Sequence, residues 1–330
     1  MKKKKVVVIG GGTGTIPVLM GLKNDNNIKI SVVVSMTDDG GSNRVVRDEF
    51  GMLPLSDLRK SIIALANKGN GMFRKLFTYR FDKGRGFSGH TLGNIIMMAL
   101  SDITGSEIGA IDASCKLFDV TGDVIPVTLD DARLVAEYED GTKVCGEGHI
   151  DEPDCERNMR IKKFYLKPRA EANPQAVKSI KSADFIVVGP GDLYTSTLAN
   201  VVVDGIQNAF IKNKGKFIFI TNLMTKNGQT RGMKTTDMIE EISKYTRRKP
   251  DYVLINNVSI PNDIIRKYKR LENEVPVKDN TKGVKDIIVI RKNLIGTYEV
   301  KREKGDMLLR SLIRHDEKKL GNVLKRIIKN

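Results

Sequence analysis

The stretch VVVIGGGTGTIPVLMGLKNDNNIKISVVVS, residues 6–35, decides the fold. Val6–Ile9 is a short run of β-branched residues that ends abruptly in glycine, as a buried strand does at a tight turn. Thr13–Lys23 then reads as a helix, and Ile28–Ser35 as a second buried strand. Strand, helix and strand in this order form a βαβ unit. Apolar strands with no polar alternation belong to a parallel sheet covered on both faces.

The same alternation resumes late in the chain. It gives strand Asp184–Val188, helix Thr197–Ile211, strand Lys216–Thr221, helix Thr236–Tyr245 and strand Tyr252–Asn256. In between, Leu58, Ile62, Leu65 and Ala66 share one helical face, and Leu92–Leu100 is also helical. The helical stretch of residues 55–118 is too long for one crossover and reads as an inserted layer. Residues 122–166 turn β-like. ARLVAEYEDGTKVCGEG (132–148) holds two runs joined by Asp140-Gly141, a hairpin turn, and Ile161–Leu166 adds another strand. Asp306–Ile328 reads as a basic amphipathic helix. With no internal repeat and no linker, the expectation is a single α/β domain over residues 1–330. It would be a Rossmann-like parallel sheet flanked by helices, with an inserted helical layer and a β-hairpin excursion.

Composition narrows the function classes. Of 330 residues, 40% are hydrophobic and 29% charged, the balance of a globular protein. No apolar run approaches the roughly 20 residues that span a bilayer. The start MKKKKVVVIGGG has too short an apolar core for a signal peptide, so a cytoplasmic location is expected. Three cysteines, Cys115, Cys145 and Cys155, without a C-x-x-C pair read as free thiols; His90, His149 and His315 show no zinc-ligand spacing with them. The net charge of +16 brings nucleic acid into consideration. However, the lysines are scattered and aromatics make up only 6%. The densest basic stretches are Lys2–Lys5 and the last thirty residues, which hold ten Lys and Arg against four Asp and Glu. Solvated charge with a general affinity for anions accounts for this better than a specific nucleic-acid site.

In an open parallel sheet, ligands bind beyond the carboxyl ends of the strands. Five loops rich in Gly, Ser, Thr, Asn and Asp fall at such ends: GGGTG (10–14), MTDDGGS (36–42), GPGDLYTS (189–196), TNLMT (221–225) and INNVSIP (255–261). Gly10, Gly11, Gly12 and Gly14 exceed what a turn requires, and they let the backbone and a helix N-terminus approach a phosphate. The pattern is neither G-x-G-x-x-G, since Thr15 stands at the third glycine, nor a Walker A loop. Asp38 and Asp39 are adjacent, and adjacent residues in extended chain point opposite ways. One should therefore face the ligand or its metal, Asp39 by preference, while the other accepts backbone N–H groups of its own loop. In PLSDLR (54–59), Ser56 suits a helix cap and Asp57 a first turn, whereas Arg59 opposes the helix dipole and becomes a candidate anion ligand. His90, in FSGHTLGN (87–94), falls near another helix start, where the dipole favours neutral imidazole. Arg314, His315 and Asp316 precede the terminal helix and on their own read as salt-bridged surface.

Taken together these stretches resemble the family of 2-phospho-L-lactate transferase, CofD, and more closely its bacterial gluconeogenesis-factor branch, the YvcK type. The matching segments are VVIGGGTGT, TDDGGSNRVVRDEFG, LPLSDLRKSIIALA, LFTYRF, GHTLGN, GDVIPVT, NPQAV, VVGPGDLYTS, TNLMTKNGQT and LIRHDEKKL, in family order over nearly the whole chain. The resemblance implies a nucleotide-linked ligand. In the transferase branch a nucleotide-linked phospholactate donates to a deazaflavin with Mg²⁺. In the bacterial branch the implied ligand is a UDP-sugar such as UDP-N-acetylglucosamine, with a role in cell shape and carbon use.

Carried over by residue, Gly11, Gly12, Thr13 and Gly14 match the glycine loop. Asp38, Asp39, Gly40, Gly41 and Ser42 match the acidic loop, and Asp57 and Arg59 match Pro-Pro-Gly-Asp-x-Arg. His90 and Asn94 match Gly-His-x-x-Gly-Asn. Gly189, Gly191, Tyr194, Thr195 and Ser196 match Gly-Pro-Gly-Ser-Leu-Tyr-Thr-Ser. Asn222 matches Asn-x-Met-Thr, and Arg314 the late Arg-His-Asp associated with sugar-nucleotide binding. Four departures stand out: Asn43-Arg44 for Ser-Gly, Leu55-Ser56 for Pro-Gly, Asp192 for Ser, and Glu317 for Thr.

The expected function is a UDP-sugar-binding regulatory protein, with Asn256 reaching the base or sugar and Arg59 or Arg314 offsetting charge. A Mg²⁺-dependent transferase is the alternative. In that case Asp39 and Asp57 would hold the metal, and Asp39, Asp57 or His90 would serve the acceptor hydroxyl. Mg²⁺ is then the implied cofactor, with no organic one, and a homo-oligomer is expected. An NAD-dependent dehydrogenase fits poorly, given the missing third glycine and the doubled acid.

Overall fold

The computed structural model describes residues 2–329 apart from residues 41, 68–70, 85, 154–158 and 297–311. Strand β1 (Lys4–Gly10) leads through helix α1 (Ile16–Leu22) to β2 (Ile28–Val34). Five helices follow: α2 (Ser42–Phe50), α3 (Ser56–Leu65), α4 (Gly71–Thr78), α5 (Leu92–Thr104) and α6 (Glu107–Leu117). Strand β3 (Asp123–Pro126) returns to the sheet beside β2, pairing Ser31 with Asp123 and Val34 with Pro126. The helical insertion is therefore one long crossover between neighbouring parallel strands.

A second, antiparallel sheet is built from β4 (Arg133–Tyr138), β5 (Lys143–Cys145) and β6 (Ile161–Lys167). Asp140-Gly141 makes the β4–β5 turn, with Gly141 at φ +84°. Helix α7 (Glu147–Asp151) follows β5 directly. The expected β excursion thus begins only after β3, which belongs to the main sheet. Its proline and edge position disguised it in sequence.

The chain then runs through α8 (Pro174–Lys181), β7 (Phe185–Val188), a π-helical turn over Leu193–Leu198, α9 (Ala199–Val201) and α10 (Ile206–Lys212) to β8 (Lys216–Ile220). A single helix over Thr197–Ile211 does not form: Gly205, at φ +100°, starts a new helix. Next come α11 (Thr235–Thr246), β9 (Tyr252–Asn256), α12 (Asn262–Leu271), β10 (Ile288–Lys292) and α13 (Glu317–Lys329). The predicted terminal helix is helical from Glu317; residues 306–311 of it lie outside the described residues. No helix of the described residues is long and apolar enough to cross a membrane.

The main sheet is wholly parallel, in the order β10-β9-β8-β7-β1-β2-β3. Strand order reverses between β1 and β7, and such a switch point opens a crevice at the carboxyl edge. Val6, Val8, Ile9, Val32, Val33, Ile186, Val187, Val188, Ile218 and Ile220 are fully buried, so the centre of the sheet is dry on both faces. Each such side chain contributes about 1.5–3 kcal/mol by burial. Helix α13 packs on α1 where Gly21 meets Gly321; a Cβ on Gly21 would stand 2.5 Å from the Glu317 carbonyl. This contact fixes the start of α13, and the segment before it, beside the helix that follows the glycine loop.

Candidate functional site

A cleft of about 470 Å³ opens at the carboxyl ends of β1, β2, β7 and β8, over the switch point. Gly12, Thr13 and Gly14 line it from β1, and Gly191, Thr195 and Ser196 from β7. These two loops touch backbone to backbone. A Cβ on Gly14 would fall 2.3 Å from the Pro190 carbonyl and 2.9 Å from Gly191 Cα. Asn222, from the loop after β8, lines the cleft and donates to the Gly191 carbonyl at 2.7 Å, tying a third loop to the pair. Gly11 lies behind the rim, where an added Cβ would meet Asp57 Oδ2 at 2.7 Å. Gly189 takes the left-handed turn at φ +78° beneath its loop, against the Ile220 carbonyl.

The acidic loop supplies Asp38, Asp39 and Gly40 to the wall. Gly41 lies outside the described residues, as does the side chain of Ser42. The two aspartates have different partners. Asp38 Oδ1 accepts the Gly40 N–H of its own loop at 2.9 Å. Asp39 is held by the antiparallel sheet's region instead: its Oδ1 accepts Gly148 N–H at 2.8 Å, and Arg133 lies 3.3 Å from Oδ2. The preference for Asp39 as the ligand-facing member is not what this geometry supports, because both its oxygens are engaged within the chain. Asp57 is tied similarly. Its Oδ2 accepts Gly12 N–H at 2.5 Å and its Oδ1 takes Lys60 at 2.7 Å.

Several expected ligand groups are placed elsewhere. Arg59 is buried and donates to Asn94 Oδ1 at 2.8 Å and to the Phe77 carbonyl at 3.1 Å. Its charge is solvated inside the helical layer, so neither Arg59 nor Asn94 lines the cleft. His90 is half-buried outside the cleft, in a turn where its carbonyl accepts Phe81 N–H. Tyr194 is fully buried and donates to Glu241. Asn256 spends its amide on the Val258 carbonyl and its oxygen on Leu294 N–H. It lines a smaller neighbouring pocket of about 360 Å³, which shares Asn222 and Leu223 with the cleft. Arg314 does line the cleft.

The cleft also gathers groups that were not among the expected site residues. Lys60, Arg133, Glu147, Asp151, Lys226, Glu272, Glu274 and His315 come from six separate segments, and only their meeting in space connects them. Among the described lining residues, nine Asp and Glu face five Lys and Arg. This is an acidic cleft in a protein of net charge +16, so its carboxylates crowd one another.

Burial, then the charge of Asp57, raises Asp38 to about 6. Glu147 is raised well above its usual value by burial and by Asp38. Across the cleft, burial and the charge of Asp151, to which it hydrogen-bonds, raise Asp192 to about 7. Glu274 rises to about 9, chiefly by burial, with Lys226 opposing. Burial works against the Lys226 ammonium, but Asp151, Asp192 and Glu274 outweigh it and raise its pKa. Thr195 and Gln229 both donate to Asp151 Oδ1, at 3.2 and 2.9 Å. The arrangement can cradle phosphates on backbone and hydroxyls at one wall, and hold protons or cations at the other.

Residues 6–295 match a family model described as 2-phospho-L-lactate transferase CofD. A Thermotoga maritima protein, provisionally named a gluconeogenesis factor, is 38% identical over 98% of this chain and 99% of its own. The gluconeogenesis factor of Bacillus subtilis is 35% identical over 99% of both chains. A crystal structure of a UPF0052-family member from Bacillus halodurans superposes with a TM-score of 0.87 at 32% identity, covering 98% of this chain and 99% of that one.

Proposed function

The chain belongs to the CofD family, and on that premise we propose that its cleft binds a UDP-sugar such as UDP-N-acetylglucosamine. The role is regulatory, of the gluconeogenesis-factor type, in carbon metabolism and cell shape. The observation that carries this reading is the contact between the two glycine loops at the switch point. It brings two stretches of open backbone and the hydroxyls of Thr13 and Ser196 to one wall, as a diphosphate requires.

An anionic ligand entering an acidic cleft needs accompanying positive charge. Mg²⁺ fits that need, through Asp38 and Glu147 rather than the expected Asp39 and Asp57: Asp38 has only Oδ1 engaged, by its own loop, whereas both oxygens of Asp39 and of Asp57 are held. The Asp38 and Glu147 carboxylates flank the same point: a Cβ at Gly40 would lie 3.4 Å from Asp38 Oδ1 and 3.8 Å from Glu147 Oε2. Among the described residues no group of three or more His, Cys, Asp or Glu could hold a metal. Ligand phosphate oxygens would therefore complete the shell, the usual habit of Mg²⁺. When bound, the ion supplies charge neutralisation at the phosphates.

Calorimetry of the full chain with UDP-N-acetylglucosamine, UDP and NADH, each with and without Mg²⁺, tests the reading. Saturable binding of the UDP-sugar, strengthened by Mg²⁺, is expected, with none of NADH. No binding of any UDP compound overturns it. The transferase alternative draws on Asp192 and Asp151, a proton-sharing pair inside the same cleft. Incubation with nucleotide-linked phospholactate, deazaflavin and Mg²⁺ decides it. Product from the wild type that is lost in Asp192→Asn establishes turnover, and its absence leaves binding alone.

A further inference from the structure

One group in the cleft wall is prepared for a hydrogen bond that the protein itself does not make. His315 is 9% exposed and lines the cleft. The Thr221 backbone lies at the ring and favours a proton on the side facing it, while Nε2 has no partner. With Nε2 unpartnered, the nitrogen turned to Thr221 is Nδ1, and the proton is assigned there. A neutral imidazole that donates at Nδ1 carries a lone pair at Nε2. Burial keeps the ring neutral, lowering its pKa to about 4.

The backbone that carries the ring is also held in place. His315 bridges Ile295, and the Arg314 carbonyl and Asp316 N–H on either side bond Gly296 and Leu294, each at 2.8 Å. Asp316 then caps α13 by accepting from Lys318 and Lys319 N–H. A desolvated acceptor without a partner destabilises the free protein until something donates to it. At a site lined by phosphate-binding loops, that donor is not a phosphate oxygen, which the lone pair would repel.

We propose that His315 Nε2 accepts a hydrogen bond from a neutral donor of the bound ligand, a hydroxyl or an imide N–H, and so sets the ligand's specificity and orientation. The inference rests on the UDP-sugar reading above. Two sources of donor are available there: the nucleoside, through its base N–H or ribose hydroxyls, and the hexose, through its hydroxyls.

The test uses the full chain and three proteins: wild type, His315→Phe, which keeps a ring without an acceptor, and His315→Gln, which returns an oxygen near the Nε2 position. Calorimetry with UDP-N-acetylglucosamine should show His315→Phe weakened by about 10- to 100-fold and His315→Gln largely restored. Repeating the titration with UDP separates the sources. A penalty that persists places the donor on the nucleoside, and one that vanishes places it on the hexose. Nitrogen-15 NMR of the wild-type imidazole should show Nε2 unprotonated in the free protein and shifted by UDP-N-acetylglucosamine. That readout stands even if His315→Phe folds poorly. Wild-type affinity in a folded His315→Phe, or a proton on Nε2, overturns the role of His315 while leaving UDP-sugar binding intact. Absence of binding of any UDP compound by the wild type overturns the functional reading itself, and this donor assignment with it.

Discussion

The Ser56 hydroxyl donates to Asn43 Oδ1 at 2.8 Å, joining the helix after the acidic loop to the helix that carries Asp57. Asn94 donates to Ser56 at 3.0 Å and Arg59 to Asn94, so four polar side chains form one chain of hydrogen bonds between α2, α3 and α5. Asn43 and Ser56 are both departures from the resembled family pattern, and here they are partners. Ser56→Ala should cost about 1–3 kcal/mol, because the buried Asn43 loses its donor and Asn94 its acceptor. Urea unfolding checks it. In a double-mutant cycle with Asn43→Ser, the losses should fall short of additive.

The two glycines that line the cleft from β1 should respond differently to alanine. At Gly14 a Cβ meets the Pro190 carbonyl at 2.3 Å, so the two phosphate-facing loops must separate. At Gly12 the Cβ has room, with Ser196 Oγ at 3.6 Å, and only φ +64° resists it. Gly12→Ala should cost about 1–2 kcal/mol of stability. Gly14→Ala should in addition weaken UDP-N-acetylglucosamine binding about 10- to 100-fold, since misplaced donors lose their aim. Thermal unfolding and calorimetry together separate the two effects.

The parts of the fold that were legible in sequence are those whose cause is local. Strands β1, β2, β7, β8 and β9 are apolar runs ended by polar loops, and the glycine loops announce close backbone approach. Strand β10 was not legible because it is an edge with exposed Ile288 and charged Arg291 and Lys292. Arg59 drew notice as a cation at a helix start, but its compensation lies far along the chain, at Phe77 and Asn94. The same is true of the cleft's acidic character. Glu147, Asp151, Glu272 and Glu274 sit in unremarkable sequence, and only the docking of α7 and the end of α12 brings them to the switch point.

Asp39 and Asp38 should separate by experiment as they do in space. Asp39 anchors the stretch after β5 through Gly148 and Arg133. Asp39→Ala leaves Gly148 N–H without its acceptor and should lower stability by about 1–3 kcal/mol. Faster hydrogen exchange over residues 146–150 would locate the loss. Asp38→Asn should leave that region protected and act on the ligand. Without its charge, UDP-N-acetylglucosamine should bind more tightly in the absence of Mg²⁺ and gain less from its addition.

Asp192 makes stability depend on pH with a defined sign. Its folded pKa, about 7, stands above the ordinary 3.8 because of burial first and the Asp151 charge second. Below the ordinary value both folded and unfolded chains are protonated, and the contribution is fully present. Between the two values the unfolded chain releases the proton that the folded chain keeps, so stability falls as pH rises. Above about 7 the loss is complete. Asp192→Asn removes the titration while keeping a hydrogen-bonding side chain beside Asp151. Its stability relative to the wild type should therefore grow between about pH 4 and about pH 7 and level off by about pH 8, reaching on the order of a few kcal/mol. Urea unfolding across that range checks it. The ligand should report the same proton: wild-type affinity for UDP-N-acetylglucosamine falls as pH passes through 7, when the carboxylate charge returns in the phosphate-facing loop, and Asp192→Asn flattens that fall.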